Sequence, residues 1–278
     1  MKARGFTLVE LVVSIAISAI VVVFAVMFIT APVDAHEAHS RRVLLVADAS
    51  GAWPRMAEDL RLALPNSLRT RRNGNFVVIE LLKVADVVRY VPPTTAPFKT
   101  VGVFRSITLD FDSNVAATRF YLSVNNTGAP GADAYALSGS MTPAGSRIVI
   151  DDNAGVAGEA LVTVTPAAAF GPDSARRRMY LVSGAVAYLC DEGQGTLVRY
   201  ENYTIAANQT ARDSPAELLA AGSAGELISR HLTACNFAVS PVLAAGGPQP
   251  QTAAVTLTTA NKGDSVTLLH SAHSEYQP

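Results

Sequence analysis

The strongest pattern in the chain is an uninterrupted apolar stretch near the N-terminus. Residues 11–33 carry no charge, and about 20 apolar residues in a helix are enough to cross a bilayer. Such a helix satisfies all of its backbone polar groups internally. Lys2 and Arg4 precede the stretch, and basic residues favour the cytoplasmic side. The pattern therefore predicts one membrane-spanning helix, with the bulk of the chain on the outer side.

A more polar helix is predicted to follow over residues 34–64. Near its end the apolar residues recur at helical spacing, which is typical of one face turned toward a core. These residues are Met56, Leu60, Ala63 and Leu64. Gly51 and Pro54 interrupt the segment, and proline is tolerated in the first turn of a helix but not in its interior. We therefore expect a break near Pro54, with residues 65–66 ending the helical region.

Beyond residue 67 the pattern is mostly that of β-strands. Residues 77–79 form a β-branched run typical of a buried strand, whereas 107–112 and 120–124 alternate apolar with polar residues. Two pairs of strand-like segments flank short turns that contain Gly, Asp or Asn, which predicts hairpins. The hairpin strands are 180–190 with 196–205, and 255–260 with 266–270.

One further helix is predicted over residues 216–232, although Gly222 and Gly225 weaken it. Taken together, the elements predict an α+β fold. A long N-terminal helix, first transmembrane and then amphipathic, packs on an antiparallel β-sheet head.

Composition and charge narrow the range of functions. Apolar residues make up 49% of the chain and charged residues 16%, against roughly 25% charged in an average soluble chain, so a disordered chain is excluded. The net charge of −1 provides no wide basic surface of the kind that binds nucleic acid, and no nucleic-acid partner is predicted. Arg69, Arg71 and Arg72 are expected in a turn, and residues 176–178 before a strand, as solvated charges or subunit contacts.

Glu10 breaks the apolar pattern. A carboxylate inside the hydrocarbon costs about 2.5–3.5 kcal/mol on insertion scales, which favours a partner cation. Alternatively, Glu10 lies at the headgroup level of an ordinary signal anchor. A conventional signal peptide cleaved after Ala35 is a third interpretation, but its apolar region usually has only about 7–15 residues.

Residues 5–10 read Gly-Phe-Thr-Leu-Val-Glu, between a basic leader and a long uncharged segment. This arrangement resembles the class III signal of type IV prepilins and pseudopilins. The resemblance implies that a prepilin peptidase cleaves between Gly5 and Phe6 and N-methylates Phe6, with S-adenosylmethionine bound by that enzyme. No cofactor is expected in this chain. The resemblance also implies that Glu10 forms an assembly salt bridge with the amine of Phe6 on a neighbouring subunit.

The same resemblance implies how the chain is organised and where it acts. The expected parts are a leader peptide (1–5), a transmembrane helix (6–33), its amphipathic continuation (34–66) and a periplasmic β-rich head (67–278). The implied partners are prepilin peptidase, other minor and major pilins, the inner-membrane assembly platform and the lipid bilayer. The chain is expected first in the inner membrane as a single-pass protein, and then in the pilus fibre or at its tip.

A non-enzymatic role in pilus assembly is the expected function. Short fragments, including 186–191 and 195–200, resemble minor pilins of the mannose-sensitive haemagglutinin type. A minor pseudopilin of a type II secretion system is the nearest alternative. A periplasmic binding module that keeps its signal anchor is the alternative of another class.

Cys190 and Cys235 are the only cysteines. In an oxidising periplasm they are expected to form a disulfide, which would contribute about 4 kcal/mol in the chain-entropy account. Two buried free thiols are the other interpretation.

No catalytic or metal site is predicted. Two histidine pairs lie close in sequence: His36 with His39, and His270 with His273. The first pair would share a helix face but lacks further ligands, and the second would lie on opposite faces of a strand. Residues 110–114 begin like a calcium loop but lack the required Gly and Glu. Calcium binding by a loop that is not of the EF-hand type, formed by residues 151–153 with Glu159, is an alternative that the sequence leaves undecided.

Overall fold

The N-terminal helical region has a break where proline predicts one. A computed structural model of the chain describes residues 7–91, 100–107, 120–151, 155–171, 173–241, 250–261 and 263–274. Helix α1 is Leu8–Gly51, with 44 residues, and α2 is Trp53–Arg61. Pro54 lies in the first turn of α2, where its missing N–H costs no helical hydrogen bond. The break expected near Pro54 is confirmed.

The other described residues are mostly β-strand, with one further short α-helix, α3, at Pro215–Ala220. The strands are β1 (Arg69–Asn73), β2 (Phe76–Val91), β3 (Thr100–Ile107), β4 (Tyr121–Val124), β5 (Arg147–Asp151), β6 (Glu159–Ala169), β7 (Arg178–Asp191), β8 (Thr196–Tyr203), β9 (Ala224–Ser229), β10 (Leu232–Ser240), β11 (Thr252–Asn261) and β12 (Asp264–His273). The buried strand expected at 77–79, the strand at 120–124 and both predicted hairpins are confirmed.

These strands form two antiparallel sheets. In the larger sheet the order is β5-β6-β3-β2-β7-β8-β9, with β1 also paired to β2 and β4 to β7. Strand β2 is bulged near Lys83 and Val84 against β7, and bulges increase the local twist of a strand. The large sheet is therefore curled rather than flat. The smaller sheet has the order β10-β11-β12.

Three apolar clusters hold the elements together. The first lies between α2, the large sheet and the small sheet, and includes Met56, Leu60 and Leu257. The second lies on the opposite face of the large sheet around Val78 and Leu82, because neighbouring residues of a strand point to opposite faces. The third fills the region of β3 to β6, farther along β2. The α+β class with a helix packed on a β head is confirmed.

A disulfide connects the two sheets. Cys190 of β7 and Cys235 of β10 are bonded, with their Cα atoms 6.4 Å apart. Both residues are buried in the first cluster. The structure thus has the bridge rather than two free thiols.

One predicted helix is wrong in its second half. The helix expected over 216–232 ends at Ala220, and the residues that follow form β9 and the start of β10. Gly222 has φ +100°, a left-handed conformation that glycine adopts without strain and that ends the helix. The strand expected at 107–112 lies mostly outside the described residues, since β3 ends at Ile107.

The arginines expected in a turn instead belong to strand β1. Each has a carboxylate partner elsewhere in the chain: Arg69 with Glu80, Arg71 with Asp213 and Arg72 with Glu192. They are therefore structural ion pairs within the head rather than a solvated turn. Arg178 begins β7, so residues 176–178 do lie at the start of a strand as expected.

The N-terminal helix as candidate assembly site

Helix α1 begins with a reciprocal cap between Thr7 and Glu10. The Glu10 N–H donates to Thr7 Oγ1 (3.3 Å), while the Thr7 N–H donates to Glu10 Oε2 (3.0 Å). The Thr7 hydroxyl also donates to the same carboxylate oxygen (2.9 Å). This capping box satisfies N–H groups that have no partner inside the helix. No sequence prediction above includes it, although Thr7 and Glu10 have the spacing that signals one.

The cap uses only one oxygen of the Glu10 carboxylate, Oε2. Both bonds from Thr7 go to Oε2, and among the described residues no hydrogen bond reaches Oε1. The carboxylate also lies at the positive end of the helix dipole, where a negative charge is favoured. Gly5 and Phe6, the expected cleavage and methylation residues, lie outside the described part of the chain. An amine from another chain could therefore approach Glu10 without breaking the cap.

The first part of α1 is long and apolar enough to span a membrane. Leu8–Phe28 covers 21 residues, and none of it is buried against the rest of the chain. A helix of this length spans about 30 Å, the thickness of the hydrocarbon core. An apolar helix without protein contacts is stable only where lipid or other helices cover it. The segment is consistent with a single-pass membrane anchor.

Past the span, one side of α1 packs on the head. Leu45 and Ala49, one turn apart, are buried. The backbone carbonyl of Leu45 accepts a hydrogen bond from Thr259 Oγ1 of β11 (3.2 Å). Ser229 Oγ of β9 donates to the carbonyl of Asp48 (2.8 Å). The helix therefore touches both sheets at its C-terminal end.

An ion-pair cluster joins α1 to the turn between β11 and β12. Nε of Arg41 lies 3.3 Å from Asp264 Oδ2, and Nε of Arg42 lies 3.1 Å from Asp264 Oδ1. Glu37 contacts Arg41 one turn earlier (3.6 Å). Hydrogen bonds from Arg42 and Arg41 lower the pKa of Asp264 below its usual value. The cluster holds the start of β12 beside the helix.

A buried carboxylate attaches α2 to the large sheet. Asp59 is fully buried, and its Oδ2 accepts from Arg199 Nε (2.7 Å) and from the Tyr188 hydroxyl (2.8 Å). Its Oδ1 accepts from Lys83 Nζ (2.8 Å). The three donors come from β8, β7 and β2. One side chain of α2 thus binds three adjacent strands.

The ionised form of Asp59 is the stable one in the fold. Burial alone would raise its pKa, but the hydrogen bonds from Arg199, Lys83 and Tyr188 outweigh burial and lower it. Burial and the nearby Asp59 carboxylate raise the pKa of the Tyr188 hydroxyl. The cluster therefore carries a carboxylate, two cations and a neutral phenol. Its role is to fix the helical region on the sheet.

Beyond the span, three apolar side chains of α1 stay exposed among polar ones. Val43, Leu44 and Val46 expose 53%, 65% and 40% of their surface. In this chain only the side with Leu45 and Ala49 is covered, so the arrangement supplies a surface for another apolar helix.

The histidines do not gather into a site. His270 stacks on Trp53 of α2 (ring centroids 4.7 Å apart), whereas His273 bonds Thr252 Oγ1 (2.7 Å). His36 and His39 are exposed on α1. Within the described ranges no three His, Cys, Asp or Glu side chains come together as metal ligands. The calcium-like stretch 110–114 lies outside those ranges, as do residues 152 and 153 of the second one.

Comparison with known proteins gives one match. Residues 1–26 match the family model described as the prokaryotic N-terminal methylation motif. The match covers the leader, the capped helix start and most of the apolar span. No curated protein matches the chain significantly, and neither does any solved structure. The chain therefore carries a type IV pilin-like N-terminus, of the kind processed by prepilin peptidase and assembled with pilins.

Proposed function

We propose that this chain is a minor pilin of a type IV pilus of the mannose-sensitive haemagglutinin type. In this proposal prepilin peptidase cleaves after Gly5 and methylates Phe6, and the head lies in the periplasm. The chain then helps to initiate assembly and stays near the tip of the fibre. Fragments along the head resemble the minor pilin MshO, which is why this pilus type is proposed.

The observation that carries the proposal is the N-terminus. A methylation motif over residues 1–26 leads into one helix that continues from the apolar span to the head without a gap until Gly51. A cleavable signal peptide needs no such rigid connection, because it is removed. A fibre subunit does need a rigid connection, because its helix packs against neighbouring subunits and must hold the head in a fixed position relative to them.

A structural rather than an enzymatic role is part of the proposal. Two buried carboxylates support it, because each is held by hydrogen bonds from neighbouring side chains. Asp59 is held by three donors, and Glu80 is bonded by Arg69 and Tyr203. A catalytic carboxylate must instead be able to reach a substrate.

The first experiment is the mass of the mature N-terminus from native membranes. The proposal expects a chain that begins with N-methylated Phe6. The Gly5→Val variant should stay uncleaved, because a side chain at this position hinders the close approach of the peptidase groove. A wild-type chain that keeps Met1 would indicate the membrane-tethered binding module, and one that begins at His36 a secreted protein.

A second fractionation separates the two assembly systems. A minor pilin is recovered in sheared surface fibres, in small amounts relative to the major subunit. A minor pseudopilin of a type II secretion system is processed in the same way but stays with the cell envelope. Methyl-Phe6 without recovery in surface fibres would therefore favour the secretion system.

A further inference from the structure

Strand β12 is ten residues long and has a free edge. Strands β11 and β12 pair residue by residue from Asn261 with Asp264 to Thr252 with His273, without a bulge. The N–H of Ser274 donates to the carbonyl of Gln251, and bonded and non-bonded pairs alternate along an antiparallel ladder. The residues that point their N–H and C=O groups away from β11 are therefore Ser265, Thr267, Leu269, Ser271 and His273. In the part of the chain that the structure describes, no backbone group bonds to them.

The outer strands β5 and β9 of the large sheet, and the start of β10, are protected in the ways that sheet proteins use. Strand β5 is short and has a charge at each end, Arg147 and Asp151. Strand β9 is short, and its pairing with β8 is irregular. Strand β10 is bulged near Leu232. In contrast, β12 has no Lys, Arg, Pro or bulge after Asp264, and long, flat, uncharged edges are where other chains pair.

The side chains along this edge are also incompletely covered. Val266 and Leu268 face the core side of the small sheet but are only partly buried. Leu269, on the opposite side, exposes 70% of its surface. An additional strand alongside β12 would cover all three residues.

The position of β12 relative to α1 restricts which chain can supply that strand. Asp264 is bonded to Arg41 and Arg42, and His270 stacks on Trp53, so β12 runs parallel to the helical region. At about 1.5 Å per residue, Arg41 lies about 20 Å beyond Phe28 at the end of the span. The edge is therefore held close above the membrane, within reach of another anchored chain.

The same geometry excludes a symmetric pair of two copies in one membrane. Two identical edges related by a two-fold axis across the strands pair antiparallel. Because β12 is parallel to the helical region, the two α1 helices would then point in opposite directions. Both could not enter the same membrane from the same side.

We propose that the free edge of β12 accepts an extended strand from a different subunit of the same fibre, by β-strand addition. The inference rests on the proposed function, since it takes the neighbour to be another pilin-type chain. Backbone hydrogen bonds supply the affinity in this mode, and alternate side chains supply the specificity. The added strand has apolar residues beside Val266 and Leu268, and small uncharged residues beside Thr267 and Ser271.

The test uses variants that differ in a single backbone N–H. Thr267→Pro and Ser271→Pro each remove an N–H that points away from β11, so they keep the ladder within the small sheet and block only the added strand. Thr267→Ala and Ser271→Ala keep the N–H and are the matched controls. In full-length protein we expect normal membrane levels for all four. Recovery in sheared fibres should fall at least tenfold for the proline variants and stay within twofold for the alanine variants.

Hydrogen exchange in the wild-type chain gives a result even if the proline variants do not fold. The five outward N–H groups should exchange at least tenfold more slowly in fibres than in the detergent-solubilised chain. Equal exchange rates, or proline variants at wild-type levels in fibres, would overturn the inference while the proposed function stands. A disulfide-linked homodimer of the Leu269→Cys variant in native membranes would overturn the assignment to a different subunit. A wild-type chain that keeps Met1 and never enters fibres would instead refute the proposed function.

Discussion

At the scale of single residues, the carboxylate of Glu10 caps the helix, and in the proposed function it also pairs with a neighbouring subunit. Within the chain it accepts the N–H and the hydroxyl of Thr7 and so caps the helix. In the proposed fibre it also meets the amine of a neighbouring Phe6. The cap stabilises the helix without requiring a charge, whereas pairing with a cation does require one, so the two roles are separable by substitution.

We predict that Glu10→Gln loses fibre incorporation and that Thr7→Ala keeps it. The glutamine amide oxygen still accepts hydrogen bonds from Thr7, but it carries no charge for the amine of a neighbour. Thr7→Ala removes the side-chain cap at a cost of about 1 kcal/mol and keeps the charge. Recovery in sheared fibres is the measurement, with N-terminal mass as the control that both variants are still cleaved. Equal recovery of the two variants would contradict a role for the charge.

Asp59 gives a second prediction at this scale. Asp59→Asn leaves Lys83 without its anionic partner. Arg199 then keeps only its pairs to the more exposed Glu201 and Glu226. Breaking a buried ion pair from one side costs about 3–5 kcal/mol. The matched control on the same helix is Glu58→Gln, which removes the exposed pair with Arg55 and should change stability by less than about 0.5 kcal/mol. Urea unfolding of the full chain in detergent measures both variants. Similar losses of stability in the two variants would show that the buried ion pairs of Asp59 contribute no more than the exposed pair of Glu58.

The pH dependence of the Asp59 effect has a definite sign. The pKa of Asp59 is lowered in the folded chain from the ordinary value of 3.8. The stability that its charge contributes is therefore complete above that value, and it is lost as the pH falls through the lower, folded pKa. The difference in unfolding free energy between wild type and Asp59→Asn should be constant near neutral pH and shrink below pH 3.8. A difference that grows on acidification would contradict the ionised assignment.

At the scale of secondary-structure elements, the predictable parts are those with local signals. The β7–β8 and β11–β12 hairpins were predictable because their turns contain the residues that turns need. Gly195, for example, has φ +66°. The start of α2 was predictable from Pro54, and the membrane span from its missing charges. Each of these signals lies within one continuous stretch of sequence, so the element can be predicted without knowledge of tertiary contacts.

The wrong predictions concern elements that are stabilised by contacts with residues far away in the sequence. Residues 216–232 have a helical pattern, but β9 pairs with β8 and Gly225 lies opposite Tyr200. A Cβ at Gly225 would come within 2.9 Å of the side chains of Tyr200 and Val198. The glycine that weakened the helix prediction is thus required for a strand. Likewise, β1 has three arginines in five residues, and their carboxylates come from three separate segments.

At the scale of the whole molecule, the head covers one side of the C-terminal part of α1 and leaves the other side exposed. The covered side includes Leu45, and the uncovered side has Val43 and Leu44. The ion pairs of Asp264 fix β12 along the same helix. The protein therefore presents exposed apolar side chains on α1 and a free strand edge on β12, which the ion pairs hold beside α1. Neither surface is needed to fold the single chain, and both suit lateral contacts between subunits.

The two sides of α1 allow a direct test of this division. Leu44 exposes 65% of its surface and Leu45 exposes 3%, so the neighbouring leucines differ in environment but not in chemistry. Leu44→Gln should change the free energy of unfolding by less than about 0.5 kcal/mol, yet lower recovery in fibres, because a polar side chain would enter the contact between helices.

Leu45→Gln should destabilise the full chain by about 2–5 kcal/mol, as other truncations and polar replacements in cores do. Urea unfolding in detergent and recovery in sheared fibres are measured on the same preparations, so that loss of folding and loss of assembly are separated. If Leu44→Gln enters fibres at the wild-type level, the exposed side of α1 is not a subunit contact.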